Sequence, residues 1–577
     1  MTRSKIINQR AQQLYLLVLL GFVVIALRCG YLQVFRHQDF KAMAAEQQKK
    51  VVSIAGKRGI ITDRNGHKLA IDLKAYAIYV DPKYLEPEAT AEKTEALADI
   101  LGQEPEVLRK SLKKNYWHYL ARKQSEETVK KLRELKMPGI GMLTESKRVY
   151  PHDTMAASLL GYTDIDNKGR EGIESSFNEY LEGGTRKVNI LTDAYGNELL
   201  RSEGDMPFLT EKVKANKVML TIDENVQYIA ERELQKGMES TKAERGVAIV
   251  MDAKNGDLLA LATNPTVDLN HITAKGWDPR IKNWAVTDVY EPGSTMKIFT
   301  IAAALEAGKT DVDEVIPTPT MIMLDGWPLH DHHQPPGKVR NLKPYEILKV
   351  SSNVGSSMLG RRMSAERFRG FMTQFGFGVK TSSGLYGEVN GILPKLPWRE
   401  STHSTISFGQ GVAVTPLQVV TAASAIANKG IRVEPRIIQR IVSPDGDILK
   451  EFPTKKHRTL SEENAEKVLA MMREVVEGKG GTARNAKIPG YLLGGKTGTA
   501  DKVKNGRYNG EVMASFVGVL PADKPEYVIF VLFDSPKTAH FATLTAVPVF
   551  KEICQHMIRY KGIQPSQTEE LNPLKVP

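Results

Sequence analysis

A serine and a lysine separated by two residues, Ser294 and Lys297, could do chemistry together. Pro292-Gly293 breaks the chain just before them, and the run 296–305 is apolar on most sides, which predicts a buried helix. Ser294 then lies in its first turn and Lys297 on the same face one turn later. Because burial lowers the pKa of a lysine, Lys297 could take the proton of Ser294 and activate it as a nucleophile.

Ser294 could also be a residue that only caps the helix, but two further motifs favour a nucleophile. Ser351-Ser-Asn353 begins another apolar-patterned stretch, and Lys496-Thr-Gly-Thr499 lies on a predicted strand. Ser-x-x-Lys, Ser-x-Asn and Lys-Thr-Gly in this order are the signature of penicillin-recognising serine enzymes. A second Ser-x-x-Lys, Ser111-Leu-Lys-Lys114, lies in a charged, solvated stretch that cannot bury its lysine, and we interpret it as a chance match.

The elements around these motifs predict an α+β fold. Short apolar runs predict strands, and a helix-rich block from 294 to about 477 separates the first two from the last three. One antiparallel sheet with helices packed on it accommodates this order, since its two halves then come from distant parts of the chain. The predicted strands are 246–252, 258–263, 491–500, 514–520 and 527–533, followed by a helix over 545–560.

The N-terminus carries a 22-residue apolar segment with one charge, which is long enough to span a membrane. No small-residue cleavage site follows it directly, so we predict an uncleaved signal-anchor with the large domain outside the cytoplasm. We divide the chain as follows: a cytoplasmic N-terminus 1–13, a transmembrane anchor 14–35, an elongated mixed pedestal domain 36–217, a catalytic α+β domain 218–563 that carries the three motifs, and a disordered tail 564–577.

Composition narrows the class of protein further. The net charge of +12 suits an anionic polymer or membrane surface, and zinc-finger and RNA-binding signatures are absent, so nucleic acid is a weak interpretation. Cys29 and Cys554 form no C-x-x-C pair, so the sequence offers no metal knuckle or redox motif, and two cysteines are too few for a disulfide scaffold. The cluster His330-Asp-His-His333 is interpreted as a solvated loop rather than a metal site. We expect no metal and no cofactor.

The chain resembles the class B penicillin-binding proteins, which are monofunctional peptidoglycan D,D-transpeptidases with a serine β-lactamase-like catalytic domain. The resemblance extends over nearly the whole chain beyond the anchor. The stretch 282–297, KNWAVTDVYEPGSTMK, is very like the division-specific FtsI type. Further matches to family landmarks are Arg58–Gly66, Gly172–Glu174, Leu220–Asp223, Phe408–Gln418 and Gly480–Ala483.

The resemblance implies a role for each motif residue. Ser294 would attack the penultimate D-Ala carbonyl of a stem pentapeptide to form an acyl-enzyme, and Lys297 would take its proton. Ser351 and Asn353 would relay protons and hold the substrate amide. The remaining roles concern the substrate carboxylate and the oxyanion: Lys496 supplies positive field near the carboxylate, Thr497, Gly498 and Thr499 form the segment that binds it, and the backbone N–H groups of Ser294 and Thr499 form the oxyanion hole.

Other interpretations stay open at this stage. An elongation-type class B enzyme shares the chemistry, a β-lactamase or β-lactam sensor shares the three motifs, and an inactive divisome scaffold shares the architecture. The resemblance implies acylation by β-lactam antibiotics, a single-pass location in the bacterial inner membrane at the division septum, and partners among divisome proteins. A polytopic glycosyltransferase partner is implied as well, because no glycosyltransferase acidic motif is found in the pedestal domain 36–217.

Overall fold

The computed structural model describes residues 3–183, 185–191, 215–272, 278–331, 335, 337–504 and 507–566, so most of the predicted tail 564–577 lies outside the described residues. Two compact units are present. The first comprises residues 1–57, 74–145 and 184–214, and the second comprises 58–73, 146–183 and 215–577. The units alternate along the chain, and a single domain boundary after residue 217 stays a prediction.

The first unit begins with a long apolar helix. The segment Arg10–Phe35 has a mean hydropathy of 2.2 and, in the described part of the chain, is the one helix long and apolar enough to cross a membrane. It contains the predicted anchor 14–35. The helical elements here are Arg3–Gly30, a π-helical segment Tyr31–Phe35, and His37–Gln48.

The rest of the first unit has its own small core. Apolar side chains such as Ile78, Leu97, Leu108 and Val129 form one buried cluster between helices and strands. The strands Lys49–Ala55 and Thr185–Leu191 pair antiparallel. The other elements are the C-terminal part of strand Lys68–Val80, a 3-10 turn Pro82–Tyr84, helices Pro87–Leu101, Pro105–Leu112 and Glu126–Leu135, strand His118–Gln124 and the start of strand Ile140–Val149.

A five-stranded antiparallel sheet is the centre of the second unit. Its strands run in the order Gly494–Lys504, Arg507–Leu520, Tyr527–Asp534, Arg245–Asp252 and Leu258–Asn264. The last three strands in the sequence therefore complete a sheet that the first two begin, as predicted. The closing helix Ala546–Lys561 and helix Glu224–Thr241 pack on it, because their apolar faces join the same buried cluster.

Helices and short strands complete the second unit. The helices are Ala157–Leu160, Gly172–Ser176, Asn178–Leu181, Trp284–Thr287, Met296–Glu306, Pro344–Lys349, Asn353–Arg361, Ala365–Gln374, Glu400–Ile406, Pro416–Ala427 and Glu462–Glu477, with 3-10 turns at Leu269–His271, Pro279–Ile281, Gly293–Thr295, Arg484–Ala486 and Ala542–Leu544. The strands are Ile61–Thr62, Lys217–Leu220, Ile316–Pro319, Met321–Leu324, Trp327–His330, Val339–Leu342, Ile431–Val433, Ile438–Val442, Ile448–Glu451 and Lys456–Arg458.

A buried ionic cluster connects the segments of the second unit that lie before residue 184. Both carboxylate oxygens of Glu174 accept 2.6 Å hydrogen bonds, one from Arg58 Nε and one from Arg148 Nε. Arg148 also lies 3.3 Å from Asp72, and Glu174 is fully buried. Since a buried charge must be paired, the landmarks Arg58–Gly66 and Gly172–Glu174 are explained as partners in one cluster.

Candidate active site

The segment that carries Ser294 has the local structure that the sequence predicts. Gly293 has φ +53°, a left-handed conformation that favours glycine, and it opens the 3-10 turn Gly293–Thr295. The helix Met296–Glu306 follows, and its residues 296–305 are all buried. Lys297 has no exposed surface, whereas Ser294 is only partly buried. The serine is therefore accessible, and the lysine behind it is not.

The amine of Lys297 is held by the Ser-x-Asn motif. Its Nζ donates to the backbone oxygen of Ser351 at 2.6 Å and to Oδ1 of Asn353 at 2.7 Å, and it lies 3.1 Å from Ser351 Oγ. These two carbonyl oxygens can only accept hydrogen bonds, so they use both N–H groups of a neutral amine. The lone pair of that amine can then accept a proton from a hydroxyl group.

A second buried lysine approaches the same serine from the sheet. Lys496 Nζ lies 3.1 Å from Ser351 Oγ, 3.0 Å from the backbone oxygen of Thr497 and 3.2 Å from Thr497 Oγ1. Like Lys297, Lys496 has no exposed surface. Ser351 Oγ thus bridges two buried amines, which forms a continuous hydrogen-bonded chain from the central helix to the sheet.

The electrostatics of this chain favour uncharged lysines. Burial is the largest cause that lowers the pKa of Lys297 well below its ordinary value, and the positive charge of Lys496 adds to it, while Asp331 opposes it. Burial alone lowers the pKa of Lys496 to about 7. At neutral pH, Lys297 is therefore suited to accept a proton rather than to donate one.

The strand Gly494–Lys504 approaches the Ser294 turn closely at Gly498. A Cβ atom on Gly498 would lie 2.5 Å from Ser515 Oγ and 2.9 Å from the backbone oxygen of Pro292. Only a residue without a side chain fits there, so the glycine of Lys-Thr-Gly sets the distance between the sheet and the nucleophile turn. Thr497 is buried and Thr499 is half-buried on the same strand.

Ser351 is held in an unusual backbone conformation by its neighbours. Its φ is +59°, which is uncommon for a residue other than glycine and persists where the surroundings impose it. The next residue, Ser352, donates from Oγ to Asp331 Oδ2 at 2.6 Å, and the N–H of Val354 donates to Asp331 Oδ1 at 2.9 Å. Asp331 also forms an ion pair with Arg340. One carboxylate therefore fixes the start of helix Asn353–Arg361.

This carboxylate corrects the interpretation of His330–His333 as a solvated loop. His330 is exposed, but Asp331 retains only 5% of its surface, and His332 and His333 lie outside the described residues. The loop interpretation failed at Asp331 because its burial depends on partners that lie 9 to 23 residues later in the chain. A single acidic residue within a polar stretch gives no local signal of such distant partners.

Thr482 is a further residue near the site, and sequence reasoning identified it only as part of the family landmark Gly480–Ala483. Thr482, in Gly480–Ala483, accepts a 3.3 Å hydrogen bond from Thr497 Oγ1, and its backbone oxygen accepts one from Thr543 Oγ1 at 2.9 Å. Thr499 Oγ1 accepts a 3.4 Å hydrogen bond from the N–H of Ala542. The loop around Thr482 and the turn Ala542–Leu544 therefore border the strand Gly494–Lys504, which carries Thr497 and Thr499.

The structure brings most, but not all, of the predicted site residues into one network. Lys297, Ser351, Asn353, Lys496 and Thr497 are joined by hydrogen bonds. Across the residues that the structure describes, no hydrogen bond of the Ser294 hydroxyl is found. Its transfer of a proton to Lys297 stays a prediction.

A group that could hold a metal ion lies elsewhere in the second unit. One ligand atom each from Asp63, His67 and Glu224 lies within 4.8 Å of the others. His67 Nδ1 already contacts both carboxylates, at 3.2 Å and 3.0 Å, and a second histidine, His152, pairs with Glu224 at 3.1 Å. These polar atoms satisfy one another as hydrogen-bonded pairs, and the three predicted motifs contribute no atom to the group.

Comparisons with known proteins agree with this geometry. A family model for the penicillin binding protein transpeptidase domain matches residues 246–555, and a model for the penicillin-binding protein dimerisation domain matches residues 53–220. The chain is 32% identical over 576 residues to PenA of Neisseria meningitidis, named a probable peptidoglycan D,D-transpeptidase, which covers 99% of this chain and 96% of PenA.

Two further similarities extend over most of the chain. Peptidoglycan D,D-transpeptidase FtsI of Escherichia coli is 31% identical over 557 residues, which covers 95% of this chain and 91% of FtsI. The crystal structure of penicillin binding protein 3 from Mycobacterium tuberculosis with aztreonam superposes with a TM-score of 0.70 at 27% identity, covering 89% of this chain and 98% of that one. The predicted resemblance is confirmed, and the chain belongs to the penicillin-binding protein transpeptidases of class B.

Proposed function

We propose that this protein is a peptidoglycan D,D-transpeptidase that joins stem peptides through an acyl-enzyme on Ser294. The observation that carries the proposal is the hydrogen-bonded chain Lys297–Ser351–Lys496, which contains two fully buried lysines and starts one helical turn after that serine. Such a chain of two amines and a hydroxyl can accept a proton at Lys297 and return it through the Ser351 hydroxyl. Acyl transfer requires this twice, once for the nucleophile and once for the leaving amine.

In the first half-reaction, Ser294 Oγ attacks the carbonyl carbon of the penultimate D-Ala, and its proton passes to Lys297 Nζ. The carbonyl oxygen becomes an oxyanion, which the N–H groups of Ser294 and Thr499 are proposed to stabilise. The C–N bond to the terminal D-Ala then breaks, and the departing nitrogen takes a proton through Ser351 Oγ. The products are an ester on Ser294 and free D-Ala.

The second half-reaction runs the same proton path in reverse. An amine of a neighbouring stem peptide attacks the ester carbon, its proton returns through the Ser351 hydroxyl, and the C–O bond to Ser294 breaks. Lys297 gives its proton back to Ser294. Because the amine must be neutral to attack, a chain that accepts protons near pH 7 suits this step, which the pKa of about 7 for Lys496 supports.

The terminal carboxylate of the donor peptide is proposed to lie along the strand that carries Thr497 and Thr499. Two hydroxyls on one face of a strand are available as hydrogen-bond donors, and the amine of Lys496 lies beside Thr497. In the unliganded protein the single O–H of Thr497 is directed to the hydroxyl of Thr482, and it would turn to the carboxylate when the donor peptide binds. A β-lactam carboxylate would occupy the same position and leave Ser294 acylated.

We also propose the cellular setting. The apolar helix at 10–35 anchors the chain in the bacterial inner membrane as a single span, with the catalytic unit outside the cytoplasm. FtsI names among the relatives favour a role at the division septum over elongation. A membrane glycosyltransferase and other divisome proteins are the proposed partners, because the glycan strands must be supplied by another enzyme.

Mass spectrometry of the protein after incubation with benzylpenicillin tests the function. We expect one adduct, on the peptide that contains Ser294, and no adduct in Ser294→Ala. Ser111→Ala is the matched control, since it alters the other Ser-x-x-Lys and should label fully. An adduct that survives Ser294→Ala would refute the nucleophile, and rapid loss of the adduct by hydrolysis would point to a β-lactamase instead.

A further inference from the structure

A cavity of about 360 Å³ lies in the second unit, away from the three motifs. Its wall is partly apolar, with Leu159, Ile281 and Leu385 among the lining side chains, and the half-exposed ring of Tyr386 lies at its edge. The volume lies within the range of small-molecule sites. Its polar lining includes Asn283 and Glu171, and both carry hydrogen-bonding groups that the described protein leaves unused.

The carboxamide of Asn283 is the first of these groups. The side chain retains only 8% of its surface, and neither its oxygen nor its nitrogen has a hydrogen-bond partner among the residues that the structure describes. A buried amide without partners is unfavourable, because both its donor and its acceptor have lost water. The group that satisfies both at once is another amide, which offers one N–H and one C=O.

The carboxylate of Glu171 is the second group. Glu171 is half-buried, and over the described residues no hydrogen bond or ion pair is recorded for its side chain. Burial raises its pKa, and within the described part of the chain no cation opposes this shift. The lysine on the same cavity wall, Lys282, is already paired with Asp288, and the adjacent Arg170 is paired with Asp164. Among the described residues, the cavity therefore holds a carboxyl group without a cationic partner.

We propose that this cavity binds a ligand that carries a primary ammonium group close to a secondary amide. The ammonium would pair with Glu171, the amide would hydrogen-bond to both atoms of the Asn283 carboxamide, and the aliphatic chain between them would contact the apolar wall. A stem peptide carries both groups, the amides of its backbone and the free amine that accepts the acyl group. This identification of the source rests on the proposed function.

The test is ligand-observed NMR titration of the full chain in detergent with Nα-acetyl-lysine methylamide up to about 10 mM, since millimolar affinity is expected of one ion pair and one amide pair. The protein is first acylated with benzylpenicillin, so that the Ser294 site is closed. Nα-acetyl-norleucine methylamide, which lacks the amine, and pentylamine, which lacks the amide, are the matched probes. We expect saturable binding of the first probe and at least tenfold weaker binding of the other two.

Variants locate the binding. Glu171→Gln keeps the shape and removes the charge, and Asn283→Leu replaces the carboxamide with an apolar group of the same shape. Each should weaken binding at least tenfold, whereas Glu179→Gln, an exposed carboxylate in the same segment, should not. Asn283→Leu should also raise the melting temperature of the unliganded protein, because it removes an unsatisfied buried amide.

Several results would overturn the inference. These are absence of saturable binding to the native protein, equal binding by Glu171→Gln, or a lower melting temperature of Asn283→Leu. Penicillin labelling of Ser294 is measured on the same samples. Labelling without probe binding refutes the cavity ligand alone. Probe binding that Glu171→Gln weakens, in the absence of labelling, refutes the proposed function alone.

Discussion

Replacing Lys496 by methionine should stabilise the protein at pH 7 and destabilise it at pH 9. Methionine is unbranched and flexible enough to fill the same space without a charge. A pKa lowered from 10.5 to about 7 means that holding this amine in the folded state costs about 4 kcal/mol at pH 7. The three hydrogen bonds of Lys496 are worth about 1 kcal/mol each and are lost in the variant.

The sign follows from proton binding. Between pH 7 and about 10.5 the unfolded chain keeps a proton on Lys496 that the folded protein has released, so stability rises with pH in this window. The cost of the buried amine falls to about 2 kcal/mol at pH 9. Lys496→Met is thus expected to gain about 1 kcal/mol at pH 7 and to lose about 1 kcal/mol at pH 9.

Urea unfolding followed by tryptophan fluorescence measures both values, with Lys254→Met as the control. Lys254 is an exposed lysine in a turn of the same sheet, and its replacement should change stability equally at the two pH values. A difference between Lys496→Met and the native protein that does not change between pH 7 and pH 9 would refute a neutral buried Lys496. The variant should not be labelled by penicillin if Lys496 orients the carboxylate.

Three further substitutions test residues that hold the site and the second unit in place. Asp331→Asn should lower stability by about 3 kcal/mol through the loss of charge-assisted hydrogen bonds and slow penicillin acylation at least tenfold, whereas Asp313→Asn on the surface should do neither, as chemical denaturation and stopped-flow labelling would show. Gly498→Ala should cost about 1–3 kcal/mol by overpacking and slow acylation, and unchanged acylation would contradict the close approach of the strand. Glu174→Gln should cost about 3–5 kcal/mol in urea midpoint measurements, because it leaves two buried arginines uncompensated, and a loss below about 1 kcal/mol would contradict their burial.

The catalytic sheet and its buried helix could be predicted because their signals are local. The run 296–305 is apolar on most sides, and the structure buries every residue of it. The strands 246–252 and 527–533 pair directly, which joins the early and the late strands in one sheet as predicted. Lys114 of the second Ser-x-x-Lys is exposed, as its charged surroundings predicted. In each case a few neighbouring residues determine burial.

The parts that could not be predicted depend on distant partners. Segments 58–73 and 146–183 belong to the compact unit of the catalytic sheet, although they precede it by many residues. Asp331 is buried because Ser352 and Arg340 pair with it. A single sequence contains no signal that connects such positions, so pairings that depend on tertiary structure were missed.

The two buried lysines make sense only together. Lys297 is held by two carbonyl oxygens and Lys496 by Thr497, with the Ser351 hydroxyl between the two amines. Without these contacts, either side chain could rearrange and move its amine out of the low-dielectric site. Their like charges disfavour double protonation, so a proton placed on one lowers the affinity of the other. In the proposed mechanism, a proton taken from Ser294 would therefore be held weakly, and the free energy that burial costs the fold would favour its return to the leaving amine.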